Sequence, residues 1–314
     1  IIGGKVSIVD NGTGGNCGTI GGDWDAATKT CVLQGDLSCG SVAPNTACIE
    51  IQSDDIVFNC KGNQIFENDG TPSGIGIRVE DGVTGVKVKR CDLDNLDTGI
   101  EVNNTADIFL FYNTFGLIDN QAINFQNTDN SYIVGNEALN NDVDQMLFYI
   151  NTKNNHVIGN TVIGGVGSGF FVSGCTNDSF IANTSNEITS FTDGFFIQNC
   201  TRSDFINNSA IDNRSEGFTF LSGSRSTVFA NISENSEIFS GFSIGSDVSA
   251  YVFEHNISND NGDNSIDFGF DDDSIGNKTG GTANTYEANT CDNNSGGGSD
   301  SADGSDLLCT GTNP

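Results

Sequence analysis

Apolar and polar residues alternate in short bursts along most of the chain, and the bursts share one frame. The clearest stretch reads GFFVSGCTNDSFIAN from Gly169, GFFIQNCTRSDFINN from Gly194 and GFTFLSGSRSTVFAN from Gly217. With the opening Gly as slot zero, slots +1 and +3 are apolar: Ile100 and Val102, Phe170 and Val172, Phe195 and Ile197, Phe218 and Phe220. That alternation is the period of a strand. A second short strand follows at slots +11 and +12, in Ile133-Val134, Val157-Ile158, Phe180-Ile181 and Phe205-Ile206. The openers are Cys48, Gly76, Gly99, Ala122, Met146, Gly169, Gly194, Gly217, Gly241 and Ser265, spaced 23 to 28 residues apart. Self-similarity at that interval is the signature of a solenoid.

The pattern also selects the solenoid. Leucine-rich repeats share the length, but their Leu-x-x-Leu-x-Leu spacing is absent, and helical repeats need longer amphipathic stretches that this chain lacks. Two or three short strands per turn with polar corners predict an all-β fold, a single-stranded parallel β-helix of about ten coils. Slot +14 supports this, because it holds Asn113, Asn136, Asn160, Asn183, Asn208 and Asn231. Asparagine tolerates turn geometry and bonds nearby backbone. Stacked amides also bond one another, each bond contributing about 0.5–1.5 kcal/mol. The frame divides the chain into an N-terminal cap over 1–47, the β-helix over 48–290 and an acidic, Gly/Ser-rich C-terminal tail over 291–314. Trp24 in the cap reads as a plug for the first coil, with sugar stacking as its alternative.

Ten cysteines without a Cys-x-x-Cys point to disulfides. Cys175 and Cys200 share slot +6 in neighbouring coils, about one strand spacing apart, within disulfide reach. Cys60 and Cys91 lie near one corner, and Cys291 and Cys309 are the two in the tail. Cys17, Cys31, Cys39 and Cys48 then close the cap, as 17–31 and 39–48 or in another pairing. An oxidising, extracellular or cell-surface setting follows. No signal peptide or membrane span is recognised, so a mature secreted chain is expected. Among the Asn-x-Ser/Thr sequons, the corner and loop sites Asn103, Asn213, Asn256 and Asn277 are expected to be open to N-glycans.

The formal charge is −30, from 12 Lys and Arg against 42 Asp and Glu. Nucleic acid and anionic membranes both call for a basic surface, so neither is an expected partner. A tight grip on a uronate polymer is disfavoured for the same reason. No cofactor is expected. Ca2+ is the one alternative, with Asp271, Asp272 and Asp273 as the densest carboxylate run and a loose metal site.

From Cys48 to Cys60 the chain reads CIEIQSDDIVFNC, and the repeats opening at Gly99, Gly169 and Gly194 carry Gly-Phe/Ile with a later Asn. These stretches resemble the right-handed parallel β-helix superfamily of the pectate-lyase-like fold, in particular its copper-maturation-like and carbohydrate-binding or sugar-hydrolase repeat proteins. The resemblance covers roughly residues 30–290 and implies a right-handed helix. It says little of activity, because the superfamily holds lyases, hydrolases, epimerases, adhesins and inert spikes.

Chemistry is sparse by comparison. Asn127-Thr128-Asp129 matches the first motif of polygalacturonase-like hydrolases, but their later motifs do not follow, and the Asp-Pro-His-Asp motif of alginate epimerases is absent. Arg202 and Arg225 share slot +8, with Asp178 and Asp204 near that corner, and form a candidate anion-binding spot or a surface ion-pair cluster. His156 and His255 have no partner visible by slot. Outward slot +2 reads Phe148, Phe171 and Phe196 in consecutive coils, an apolar strip of the kind that marks an interface. The expected function is a secreted structural or surface protein that associates with itself, with an extracellular polysaccharide lyase or hydrolase as the alternative.

Overall fold

The structure is a computed structural model that describes residues 5–40, 43–68, 73–139, 147–263, 265–301, 304 and 307–311, with backbone only at 147–149. It is an all-β parallel solenoid of about ten turns. Among the described residues the helical content is two 3₁₀ turns, Gly18–Ile20 and Thr279–Gly281, and no helix is long and apolar enough to cross a membrane. The chain divides into two compact units, 1–156 and 157–314.

In the first unit, Val6–Ile8 lies parallel on Ala47–Ile51, which pairs with Ile75–Val79. The expected cap therefore contributes a rung of its own. Its departure from the repeat is the antiparallel hairpin of Gly22–Asp25 with Thr30–Leu33. The long strands Asp92–Asn103 and Thr114–Gln126 pair with each other through a register shift near Thr98. Trp24 stands opposite Cys31 and against Gly14, where an added Cβ would come within 2.3 Å of the indole.

In the second unit, Phe170–Ser173, Phe195–Gln198, Phe218–Ser224, Phe242–Ser249 and Phe268–Asp272 stack in parallel. The inward rings of Phe170, Phe195, Phe218, Phe242 and Phe270 form a column with centroids 4.6, 4.7, 4.9 and 4.6 Å apart and planes within 8° of one another. This column fixes the register and corrects one expectation. The coil expected to open at Ser265 opens at Gly269, because Phe242 pairs with Phe270 and Ser243 with Asp271. The expected tail is likewise corrected. Thr290–Asp292 and Gly297–Ser301 pair with Ile257–Asn259 and Phe268–Asp272, which adds a further turn.

The asparagine ladder is present in each unit. Asn113 Nδ2 donates to Asn136 Oδ1 at 2.9 Å in the first. In the second, Asn160, Asn183, Asn208, Asn231, Asn256 and Asn289 are joined amide to amide at 2.9–3.0 Å. The ladder thus continues through Asn256 rather than His255, because one extra residue enters that coil. The left-handed residue is the one before each ladder amide, as at Tyr112, Ala182, Asn207, Ala230, His255 and Ala288. A second ladder, unmarked by slot +14, carries Asn261 Nδ2 to Asn294 Oδ1 at 3.0 Å and lets Asn213 Oδ1 accept from Ile188 N at 3.2 Å.

Five disulfides pin the coils: Cys17–Cys31, Cys39–Cys48, Cys60–Cys91, Cys175–Cys200 and Cys291–Cys309. They resolve the pairing that the sequence leaves open in the N-terminal region and imply folding in an oxidising compartment.

Candidate functional site

A parallel coil stacks equivalent slots about 4.8 Å apart, so the outward face of the second unit can be read as rows. Slot +2 runs Phe171, Phe196, Thr219, Ser243, Asp271 and Asp300, each paired with the next in register. The residue before each opener forms a second row of Ser168, Asp193, Glu216 and Ser240. Backbone bonds from Gly169 N to Asp193 O and from Gly194 N to Glu216 O hold that row in line.

Asp193 is 7 % exposed. Burial raises its pKa well above the ordinary carboxylate value, the neighbouring Glu216 charge adds to the rise, and a hydrogen bond joins the two carboxyl groups. The neutral form of Asp193 is therefore more favoured than that of an exposed acid. Ser215 Oγ donates to Glu216 and also hydrogen-bonds Asp193. A side-chain hydrogen bond with the buried Thr219 works the other way and favours the ionised form of Asp193. Further along, burial pushes Asp271 up to about 6, helped by Asp273, Asp300, Asp272 and Glu216. A hollow of about 240 Å³ opens there between Asp271, Asp273 and Asp300.

Asp193 and Glu216 escape a reading of the sequence that begins at slot zero. Their 23-residue spacing is visible, but the burial of Asp193 and its contact with Glu216 follow only from the stacked coils.

The residues singled out from the sequence fall as follows. Of the expected metal run, Asp271 and Asp273 border the same hollow, while strand alternation turns the side chain of Asp272 inward. Asp272 is buried and accepts from Ser274 N, Asn284 Nδ2 and Tyr286 OH. Among the described residues no group of three or more His, Cys, Asp or Glu side chains is placed to hold a metal. Arg202 and Arg225 occupy exposed left-handed corners and take part in none of the ion pairs found among the described residues. Asp178 turns inward and accepts from Thr176 N, so the expected cluster with it does not form.

Phe171 and Phe196 lie half-buried with ring centroids 5.2 Å apart at 14°. One face of each ring is turned to the other. The side chain of Phe148 lies outside the described residues. Asn213 and Asn256 are corrected as glycan sites. At 1 % and 0 % exposure they are buried in the two ladders and unreachable in the fold, whereas Asn277 is exposed and Asn103 half-exposed. His156 stacks on Tyr132 at 4.7 Å, and His255 Nδ1 lies 3.4 Å from Glu254.

The sequence profile of the family described as "Periplasmic copper-binding protein (NosD)" matches residues 50–240. No curated protein matches the chain. Among solved structures, the A-module of the Azotobacter vinelandii mannuronan C-5 epimerase AlgE6 superposes with a TM-score of 0.55 at 13 % identity, covering 86 % of each chain. The periplasmic alginate epimerase AlgG gives 0.51 at 14 %, covering 85 % of this chain and 79 % of that one. ORF18 of Geobacillus virus E2 gives 0.53 at 11 %, and the match spans 91 % of this chain but 60 % of the viral protein. At these identities the likeness is one of fold.

The donor set does not fit the copper of the family's description. Copper sites draw on Cys, Met and His. Here all ten cysteines are in disulfides, and the sequence holds one Met and two His. Both histidines already contact other side chains.

Proposed function

The chain belongs to the NosD family, and from that premise we propose that it is a secreted or cell-surface β-helix protein that lays a polysaccharide chain along the outward face of its second unit and hydrolyses it there. The observation that carries the reading is the stacked Asp193–Glu216 carboxyl pair, in which burial and the Glu216 charge push Asp193 well above the ordinary carboxylate range. Glycoside hydrolysis needs one carboxylic acid to protonate the leaving oxygen and one carboxylate to activate water. Asp193, whose carboxyl is pushed up by burial, would supply the proton, and Asp271 would accept one from the attacking water.

The face suits a chain without carboxylates. Its outward row contains no Lys or Arg, so nothing on it would neutralise a uronate, in contrast to what the names of the epimerase neighbours say of their substrates. The test is release of reducing ends by the full chain across a panel of neutral, acidic and basic polysaccharides. Glu216→Gln and Asp193→Asn should each slow release by about 10²-fold or more. No release from any polymer, or undiminished rates in both variants, retires the reading.

The half-buried Phe171–Phe196 pair favours a second reading, self-association into surface material. Phe196→Ser should then abolish a concentration-dependent high-mass species in sedimentation, and a wild-type chain that stays monomeric at high concentration counts against it.

A further inference from the structure

We propose that Phe191 is the platform on which a neutral, β-linked sugar stacks beside the Asp193–Glu216 pair, a subsite that rests on the hydrolytic reading above and narrows its substrate. Backbone bonds from Thr189 N to Gly165 O, from Arg214 N to Ile188 O and from Ile238 N to Arg214 O set successive loops side by side. Asn213 Oδ1 accepts from Ile188 N in the same way, so Arg214 is the counterpart of Thr189. From Thr189 the chain takes four steps to Asp193, but from Arg214 it takes two to Glu216. The longer loop carries Phe191, at 65 % exposure the most open aromatic ring among the described residues.

A single exposed apolar side chain needs no purpose, but this one is held in place. Ser190 Oγ and Thr192 Oγ1, on either side of it, both donate to Val166 O, the second at 3.3 Å. The Arg214 guanidinium lies 4.2 Å from the ring centroid. Arg214 is itself fixed, with Nη1 donating to Thr189 O at 3.4 Å and Nε 3.7 Å from Glu237. The cation covers one face of the ring and leaves the other to solvent. An open aromatic face is negative and suits the C–H face of a pyranose, and a ring already ordered loses little freedom when a ligand settles on it. Two residues of chain span at most about 7 Å, so a polymer that seats one sugar on Phe191 brings a neighbouring linkage to Asp193. Charge then selects the occupant. The hollow of about 420 Å³ beside Arg214 is lined by Ile188 and Thr189 and also by Glu187, Asp212 and Glu237. With the Arg214 charge committed to Glu237, these carboxylates repel a uronate, and they equally oppose a second copy of a chain carrying −30.

The test measures binding of neutral β-linked tetramers of glucose, xylose and N-acetylglucosamine, and of a β-linked glucuronate tetramer, to the full chain by calorimetry. Reducing-end release from the same sugars and sedimentation of the protein are followed in parallel. At least one neutral tetramer should bind, and Phe191→Ala should weaken it about 10-fold, while Phe191→Tyr keeps the ring and the affinity. Arg214→Gln unpins the ring and should weaken binding about 3-fold. Tyr112→Ala removes a ring of 62 % exposure from a left-handed corner whose counterparts include Ala182 and Ala230, and should change nothing. Where the sugar is cleaved, Phe191→Ala should raise KM and leave kcat within about 2-fold. Failure of every neutral tetramer to bind overturns the proposal, as do unchanged affinity in Phe191→Ala, equal loss in Tyr112→Ala, and glucuronate binding as tightly as the neutral sugars. So does a Phe191→Ala variant that alters only the sedimenting mass, which would mark a protein interface instead. Ring-dependent binding without cleavage sinks the hydrolytic reading only, and cleavage with KM and affinity unchanged in Phe191→Ala sinks only the present one.

Discussion

Replacing Asn208 by alanine should cost far more than replacing its neighbour Asn207. Asn208 Nδ2 donates to Phe180 O at 2.9 Å and Asn231 Oδ1 at 3.0 Å, while its Oδ1 accepts from Asn183 N at 3.0 Å and Asn183 Nδ2 at 2.9 Å. Two of the four partners keep another bond after truncation. Asn183 Nδ2 still reaches Val157 O, and Asn231 Oδ1 still receives Asn208 N. The Asn183 N–H loses the bond described for it in a site that is 0 % exposed at Asn183. One buried group left unmatched and two amide bonds lost put the cost at about 3 kcal/mol. Asn207 is exposed and left-handed. Alanine already occupies the equivalent corner at Ala182 and Ala230, so Asn207→Ala should cost about 1 kcal/mol. Urea denaturation followed by far-ultraviolet circular dichroism gives the two values. Because solenoid coils couple mainly to their neighbours, hydrogen exchange should show faster amides concentrated between residues 180 and 235. A loss at Asn208 no larger than at Asn207, or exchange raised evenly along the unit, would refute the ladder as a source of stability.

Three further outcomes are expected. Asp271 has a folded-state pKa of about 6 against an ordinary value of 3.8, so the folded state binds more protons between those values and stability should fall as pH rises through them. Asp271→Asn should flatten that part of the melting temperature against pH, and an unchanged slope would contradict the burial argument. Phe195→Ala opens a gap in a column where the ring stacks at 4.6 and 4.7 Å on either side, and should cost about 3–5 kcal/mol in the same denaturation assay. In a glycosylating host, mass spectrometry should find sugar on Asn277 and none on Asn213 or Asn256. Occupancy at the two buried sites in folded protein would show that the ladders do not form before modification.

The sequence reveals the fold wherever repetition is strict and obscures it wherever one residue is gained or lost. The in-line pairs Phe170–Phe195 and Asn183–Asn208, and the Cys175–Cys200 bridge, all follow from counting slots, because a parallel coil places equal slots side by side. Counting fails at His255 and Ser265, where longer loops move the amide to Asn256 and the opener to Gly269. In both places a side chain that needs its like across the rung decides the register, and no local rule of spacing could. The candidate site is harder to read than the core for a related reason. Asp193 and Glu216 are unremarkable loop acids until the coils are stacked, and only then do burial and the Glu216 charge raise the Asp193 pKa.

The same stacking that builds the core also makes the acidic rows informative. Like placed over like is favourable for phenylalanine rings and for amides, which both donate and accept, so columns of Phe and Asn need no purpose beyond stability. Carboxylates placed over carboxylates repel. The first unit avoids this on its own outward row, where Arg78 stands between Glu50 and Glu101 at 4.0 and 2.5 Å and Lys5 also contacts Glu50. The second unit does not. It sets Asp193 beside Glu216 and Asp271 beside Asp300, although Ser168, Ser240 and Ser243 fill neighbouring places in those rows. The fold would accept a neutral residue there and gain stability from it. Two stacked acid pairs on one face are therefore a cost that the scaffold does not require.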